Sequence, residues 1–472
     1  MAEFDRGSLT LFGTRIVSEL IGFVSLIYFA RTLGATGLGV FFTFQTLASV
    51  LGVFTKLGIP GATVKRISQS ESASQRGAYL AAALLLLVPP FLLVTAALVV
   101  VEPTVVAYAD LGVVVPLLVL VLAVRAGARL AVTALRGERR IASSAGIELL
   151  GQVARVAVSV GLLLAGFGVL GLIYGLAAGP VSQAVVGYLV LDTRVARPTR
   201  ADVASLFDFS KYTAGMEVSA LAYNWGDTLV LAAFATKAAV GVYETAWKLS
   251  VVPLLGAQVV GVALAPSVTR WHEDGDWDRI ESAFSEAVTA AVALVIPALV
   301  GAFLLGDAII SALYGFGSGG LIFLVLVVGQ VPQAVKNVTQ NTLFGIDRPA
   351  PVFWTNLLTL VGNVAGNLLL VPEYGMLGAA TATVVTAGIA AVSQVAVLRR
   401  HLRLRVAWDT LGWQVLSATV MGGALVAVRP AVPTDSAVGV VGLVLFAAAV
   451  YGGCLLGHAK IRTRVVRAVP WG

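Results

Sequence analysis

The stretch Val121–Arg155, VLAVRAGARLAVTALRGERRIASSAGIELLGQVAR, decides how this chain reads. Both ends are apolar enough for membrane helices, yet they carry Arg125, Arg129, Glu148 and Arg155. Its middle, Arg136–Arg140, reads as a basic hairpin loop. A charge at bilayer depth is costly, so such side chains face a polar cavity rather than lipid. The same pattern recurs, in weaker form, near residue 340. These features point to a polytopic transporter with an internal repeat and a cationic interior.

The rest of the chain agrees with that reading. Of its 472 residues 58% are hydrophobic and only 12% are charged, with a mean hydropathy of +0.91. A water-soluble protein of this length needs far more charge to coat its surface. The apolar runs reach the roughly 20 residues needed to cross a hydrocarbon core of about 30 Å. The net charge of +7 could suggest nucleic acid, but the positions of the charges explain it as membrane topology, with no nucleic acid as partner. Cys454 is the only cysteine, so no intrachain disulfide forms, and His272, His401 and His458 have no metal-ligand spacing. The N-terminus lacks a cleavable signal pattern, so the first apolar run reads as a retained helix.

Fourteen spans are expected, near 8–31, 38–63, 77–101, 111–134, 143–166, 168–191 and 212–235, then 239–266, 281–306, 318–344, 351–371, 376–399, 411–429 and 436–458. Loop charges test this count. With the N-terminus inside, the inner loops hold Lys65, Arg66, Arg76, Arg136, Arg139, Arg140, Arg194, Arg197, Arg200, Arg270, Arg279, Arg348, Arg399, Arg400, Arg403 and Arg405. The tail adds Lys460, Arg462, Arg464 and Arg467. The outer loops hold only Arg31, Lys237 and Arg429 as bases, beside Glu102, Asp110, Asp307, Glu373 and Asp435. This asymmetry is the positive-inside pattern, and losing one span would destroy it. Both termini are therefore expected inside. Thr199–Tyr212 is the longest polar connector before the second half and reads equally as an amphipathic surface helix or as a linker.

A repeat sets the domain organisation. Leu135–Arg140 (LRGERR) aligns with Leu343–Arg348 (LFGIDR), and Gly168–Leu172 (GVLGL) with Gly375–Ala379 (GMLGA). Upstream, Phe29-Ala30 and Gly39–Phe41 resemble Phe234-Ala235 and Gly241–Tyr243. Six spans per repeat is an even number, so the two halves run parallel, related by an axis along the membrane normal. The expected fold is all-α. It has two six-helix lobes, residues 1–198 and 199–405, around a central cavity, two appended spans at 406–458, and a basic tail at 459–472.

The candidate site is the set of charges inside spans. Seven basic residues, Arg15, Lys56, Arg125, Arg129, Arg155, Lys248 and Lys336, stand against five acidic ones, Glu19, Glu148, Glu217, Asp227 and Glu244. At about 1.5 Å rise per residue, Lys56, Arg129, Glu148, Glu217 and Lys336 lie near enough to one face to snorkel. Glu19, Arg125, Arg155 and Asp227 lie too deep for that and are assigned to an interior cavity. Arg125 and Arg129 are one helical turn apart and repel, which calls for an anion nearby. Glu148 or Glu19 supplies it as an ion pair, or a substrate phosphate does, since guanidinium matches phosphate oxygens; the sequence leaves both open.

Several short motifs carry a resemblance. FARTLGATGLGVF (29–41) is similar to the turn between spans 1 and 2 of the polysaccharide-biosynthesis flippases of the multidrug/oligosaccharidyl-lipid/polysaccharide (MOP) exporter superfamily, and KLGIPGATVKRIS (56–68) to the run that ends span 2. VGVYETAWKL (240–249), LFGIDRP (343–349) and YGMLGAATAT (374–383) resemble the family's later motifs in the same order. The resemblance implies a flippase, not an enzyme, for polyprenyl-(pyro)phosphate-linked oligosaccharides in the cell membrane, with a cationic cavity and alternating access. It implies membrane lipids as surroundings and glycosyltransferases or a polymerase of the same pathway as partners. It implies no bound cofactor. Some relatives couple to Na+ or H+ gradients, and Glu19 and Asp227 are the positions here that would do so, with Glu148 as an ion-pair acid. The rival within the superfamily is an exporter of organic cations, which would want an acidic, aromatic pocket rather than a surplus of bases.

Overall fold

The computed structural model describes the backbone of residues 2–459 and 462–463, and their side chains except at 2–12, 15–16, 212, 215–224 and 263. Among them every regular element is helical, as expected. The order is α1 (Ala2–Lys56), α2 (Ile59–Gln69), α3 (Ala73–Val100), α4 (Glu102–Ala109), α5 (Val114–Gly137), α6 (Ile141–Leu164), α7 (Val169–Val190) and α8 (Arg200–Phe234). Then come α9 (Lys237–Ser250), α10 (Leu254–Glu273), α11 (Trp277–Val292), α12 (Val295–Tyr314), α13 (Gly320–Gly345), α14 (Pro349–Leu398), α15 (Trp408–Val428) and α16 (Ala437–Leu456).

Among the described residues ten helical stretches are long and apolar enough to cross a membrane, or eleven if the bent pair α9–α10 counts as one. Two of the ten are double. α1 bends at Gly34 (φ 67°) and α14 at Gly375 (φ 54°), and the expected span pairs 1–2 and 11–12 fall on the arms of these bent helices. The count of fourteen and the inner placement of both termini rest on the loop charges. Lys460, Arg464 and Arg467 of the tail lie outside the described residues. The connector at Thr199 is helical from Arg200 onward. A capping box starts it, with Thr199 Oγ accepting from the Asp202 N–H and Asp202 accepting from the Thr199 N–H.

The chain forms two compact units, Met1–Gly241 and Val242–Gly472. In the first, α2, α3, α5 and α8 share a core of Ile59, Ile67, Leu80, Leu130 and Leu206. The sequence repeat divides at residue 199, but α8 packs on α1, α2 and α3, so contact groups it with the first unit. In the second unit, Val268, Ile280, Phe284, Val338 and Leu398 form one core, and α15 and α16 attach to α12 through Leu305, Met421, Leu425, Leu443 and Tyr451. Large apolar side chains such as Leu93, Leu164, Leu189, Phe303 and Leu369 remain exposed along the spans. That is the surface a lipid solvent requires.

The repeat is legible in the backbone. Gly168 has φ 56°, ψ −136° and Gly375 has φ 54°, ψ −129°, a conformation open only to glycine at low cost. In the basic loop Arg139 is left-handed at φ 63°, and its counterpart Asp347 at φ 56°. The Arg140 N–H donates to Leu135 O at 2.9 Å and the Arg348 N–H to Leu343 O at 2.8 Å. A Cβ on Gly137 would fall 2.7 Å from Ile67 and 3.3 Å from Val64 O; one on Gly345 would fall 2.6 Å from Val268 and 3.3 Å from Ala265 O. The upstream turns also match. A side chain on Gly39 would strike the Lys237 carbonyl, and one on Gly241 would strike that of Ala35, a reciprocal contact within the first unit.

Candidate functional site: a cationic patch on α5 and α6

Small residues fix α6 in place. On one side α7 approaches so closely that a Cβ on Gly179 would lie 2.7 Å from Gly151 O and 3.2 Å from the Arg155 Cβ. Gln183 of α7 donates to the Glu148 carbonyl at 3.5 Å. On the other side α1 packs through Gly22, and Gln152 donates to the Ser18 carbonyl at 3.4 Å. Such glycine-lined contacts bring membrane helices close enough to set a side chain's direction. Arg155 is therefore held by backbone packing rather than by a carboxylate.

The charges separate into two groups. Glu148 accepts two hydrogen bonds from Arg136, at 2.8 and 2.9 Å, and lies 3.9 Å from Arg129. This group is neutralised from within. Arg136, read from sequence as a loop residue, sits in the last turn of α5, which extends its guanidinium to the first turns of α6. Arg125 and Arg155, both partly buried, form the second group. Their guanidinium charges repel one another, and Glu19 of α1 attracts Arg155. Among the described residues no carboxylate stands within 4.0 Å of either guanidinium and neither makes a hydrogen bond. Two positive charges that act on one another in a low-dielectric span, with no carboxylate within 4.0 Å among the described residues, favour an anion beside them.

The other sequence candidates are distributed as follows. Lys56 ends α1 and Asp227 lies on α8, both partly buried and both engaged with other residues of the chain. The side chains of Arg15 and Glu217 lie outside the described residues. Lys248 and Lys336 belong to the second unit. Lys248 lies 3.8 Å from the buried Glu244, one turn away on α9. Lys336 is buried at 6% exposure on α13. The structure thus gathers Glu19, Arg125, Arg129, Glu148 and Arg155 at one α1–α5–α6 junction. Among the described residues no cluster of three or more His, Cys, Asp or Glu side chains is placed to hold a metal ion.

Reading formal charges alone missed an amide row in the second unit. Gln330, Gln333, Asn337 and Asn341 recur at helical spacing on α13, and Asn356, Asn363 and Asn367 follow on α14. Gln330 donates to Ser250 Oγ at 3.3 Å, Asn363 to Thr383 Oγ1 at 3.0 Å, and Gln394 to Asn356 Oδ1 at 3.4 Å. The helical period of these amides was the available signal.

With this arrangement in hand, known proteins were compared. Residues 5–272 match the family described as "Polysaccharide biosynthesis protein". The chain belongs to that family. This polysaccharide biosynthesis protein also matches the family described as "Lipid II flippase MurJ", over residues 158–447. It is 29% identical to the Haloferax volcanii protein described as "Probable low-salt glycan biosynthesis flippase Agl15", over 99% of this chain and 100% of that one. To "Probable flippase AglR" of the same organism it is 27% identical over 98% of each. Its fold matches a solved structure of lipid II flippase MurJ in an inward closed conformation with a TM-score of 0.78 at 13% identity, covering 95% of this chain and 98% of that one. An inward-facing multidrug resistance MATE transporter of the MOP superfamily matches at TM-score 0.62 and 17% identity, over 81% and 94%. The resemblance to the polysaccharide-biosynthesis family read from the motifs is borne out, and the apolar helices make this a polytopic membrane protein.

Proposed function

We propose that this protein is a flippase that carries polyprenyl-(pyro)phosphate-linked oligosaccharides across the cell membrane by alternating access. The observation that carries the reading is the pair Arg125 and Arg155, with α6 fixed by helix packing and no carboxylate within 4.0 Å of either guanidinium among the described residues. Guanidinium groups bind phosphate oxygens through short charge-assisted hydrogen bonds, so this pair takes the phosphate of the lipid carrier. The Arg136–Glu148–Arg129 group holds the α5 and α6 ends together while the anion enters and leaves. Arg15, Lys56, Lys248 and Lys336 supply further positive charge, and Glu19 and Asp227 are the acids suited to coupling with a Na+ or H+ gradient. The work is transport, without covalent chemistry. Glycosyl transfer builds the substrate, and a polymerase or transferase uses it for a surface polysaccharide or a glycoprotein.

The test is reconstitution. Proteoliposomes holding the full chain are given a fluorescent polyprenyl-pyrophosphate oligosaccharide on one face, and protection from an impermeant quencher is followed. Time-dependent protection that exceeds protein-free vesicles supports the flippase reading. Absence of protection together with gradient-driven uptake of ethidium would replace it with the organic-cation exporter.

A further inference from the structure

We infer that a cavity of about 600 Å³ between the α2–α3 turn and the α5–α6 loop binds the phosphodiester of an anionic membrane lipid with hydroxyl groups in its headgroup. The cavity shares no lining residue with the patch at Arg125 and Arg155, and the inference does not depend on the flippase reading. The basic loop Arg136–Arg140 carries three arginines. Arg136 is committed to Glu148. Arg140 is committed to Asp192 at 3.1 Å and to the Val190 carbonyl at 2.6 Å. Only Arg139 remains. It is exposed in a left-handed conformation and lines the cavity, and its guanidinium makes no hydrogen bond or ion pair with any described residue.

Across the cavity stands Arg76 of α3. It has no ion pair, and its Nε is enclosed without an acceptor among the described residues. The two carboxylates of the lining differ in role. Glu138 is 2% exposed at its side chain and is occupied by the Thr193 N–H at 2.6 Å, so it pins the chain after α7. Glu71 is exposed at the rim. The hydroxyls of Ser68 and Ser70 donate to Lys65 O and Arg66 O at 2.9 and 2.8 Å, which leaves their oxygens as acceptors.

The lining therefore offers two guanidinium donors, two serine acceptors and one free carboxylate. A phosphate dianion would be repelled by Glu71, and a choline headgroup would be repelled by both arginines. A singly charged phosphodiester satisfies the arginines, and headgroup hydroxyls satisfy Glu71 and the serines. The place suits a lipid. The cavity sits where the apolar helices α3 and α5 end, at headgroup level, and basic pockets at such ends attract anionic lipids. α8 is tied there by Arg66 donating to Ser205 O at 3.5 Å and by Lys65 over the Phe209 ring at 4.1 Å. Its neighbouring Phe207 is exposed, an apolar ring at the same level.

Native mass spectrometry of the full chain in detergent tests this, with phosphatidylglycerol, phosphatidylcholine and inorganic phosphate as probes. The wild type is expected to retain phosphatidylglycerol and to shed phosphatidylcholine. Arg139→Asn, which keeps a residue type at ease in the left-handed region, is expected to lower the lipid-bound fraction about tenfold, the loss of roughly one charge-assisted hydrogen bond. Arg139→Lys retains part of the binding. Arg76→Gln matches Arg139→Asn, and Arg279→Gln, far along the chain on α11, leaves binding intact. Equal retention of phosphatidylcholine, unchanged binding in a folded Arg139→Asn protein, or capture of inorganic phosphate in place of lipid would each overturn the assignment.

Discussion

The α5–α6 junction and its repeat counterpart, α13–α14, have the same backbone and opposite chemistry. Both turn on a glycine pressed against a preceding helix, Gly137 on Ile67 and Gly345 on Val268, and both pass through a left-handed residue, Arg139 and Asp347. In the register those glycines set, Arg125 faces Gln333 in the alignment, Arg129 faces Asn337, Arg136 faces Phe344, Glu148 faces Asn356 and Arg155 faces Asn363. Each of these five charges thus has an amide or an apolar ring in the second half. Glycine contacts and left-handed turns are what the fold needs, so both copies keep them. Charge at membrane depth is expensive, and on α13–α14 it is reduced to the single buried Lys336. Under the proposed function the first half would take the anionic part of the cargo. The amides of the other half, able to donate and accept at once, suit neutral hydroxyls.

The backbone side of the comparison carries the largest stability effects. Gly137→Val and Gly345→Val each force a side chain into a neighbour closer than van der Waals contact, and each is expected to cost about 1–3 kcal/mol. Thermal unfolding in detergent reads this, and a loss confined to one of the two would break the repeat equivalence. Next comes Glu148→Gln, which strands Arg136 and Arg129. Because the three side chains are 33–48% exposed, the cost is about 1 kcal/mol rather than the larger loss of a fully buried pair. Asn356→Ala, at the matching position, loses one long hydrogen bond from Gln394 and costs less. The smallest effect is expected of Arg139→Asn and Asp347→Asn, within about 0.5 kcal/mol, since asparagine tolerates the left-handed region. A large loss at either would show that the side chain, not the turn, holds the loop.

Sequence patterning reached far into this fold because the repeat is written in polar and glycine-rich motifs. LRGERR, LFGIDR, GVLGL and GMLGA stand out against apolar helices, and each marks a turn that recurs with matching dihedral angles. What escaped was set by packing. α4, with Pro103 in its first turn, is too short to announce itself as a span, and Tyr108 secures it by donating to Leu229 O at 2.7 Å, a partner remote in sequence. The break between α11 and α12 lies inside a continuous apolar run where no polar signal marks it. At the site, the charges were visible but their partners were not. Glu148 does answer Arg129, but where α5 ends was not visible, and its last turn brings in Arg136 as the nearer partner.

The central claim is that the positive charges of α5 and α6 carry the anion while their amide counterparts do not. The most direct measurement is the initial rate of pyrophosphate-linked oligosaccharide translocation in proteoliposomes for Arg125→Ala, Arg155→Ala, Gln333→Ala and Asn363→Ala, each first shown to be folded. The account predicts a loss of about tenfold or more for either arginine, the loss of a charge-assisted hydrogen bond, and less than about threefold for either amide. Equal losses at all four positions, or none at the arginines, would contradict it.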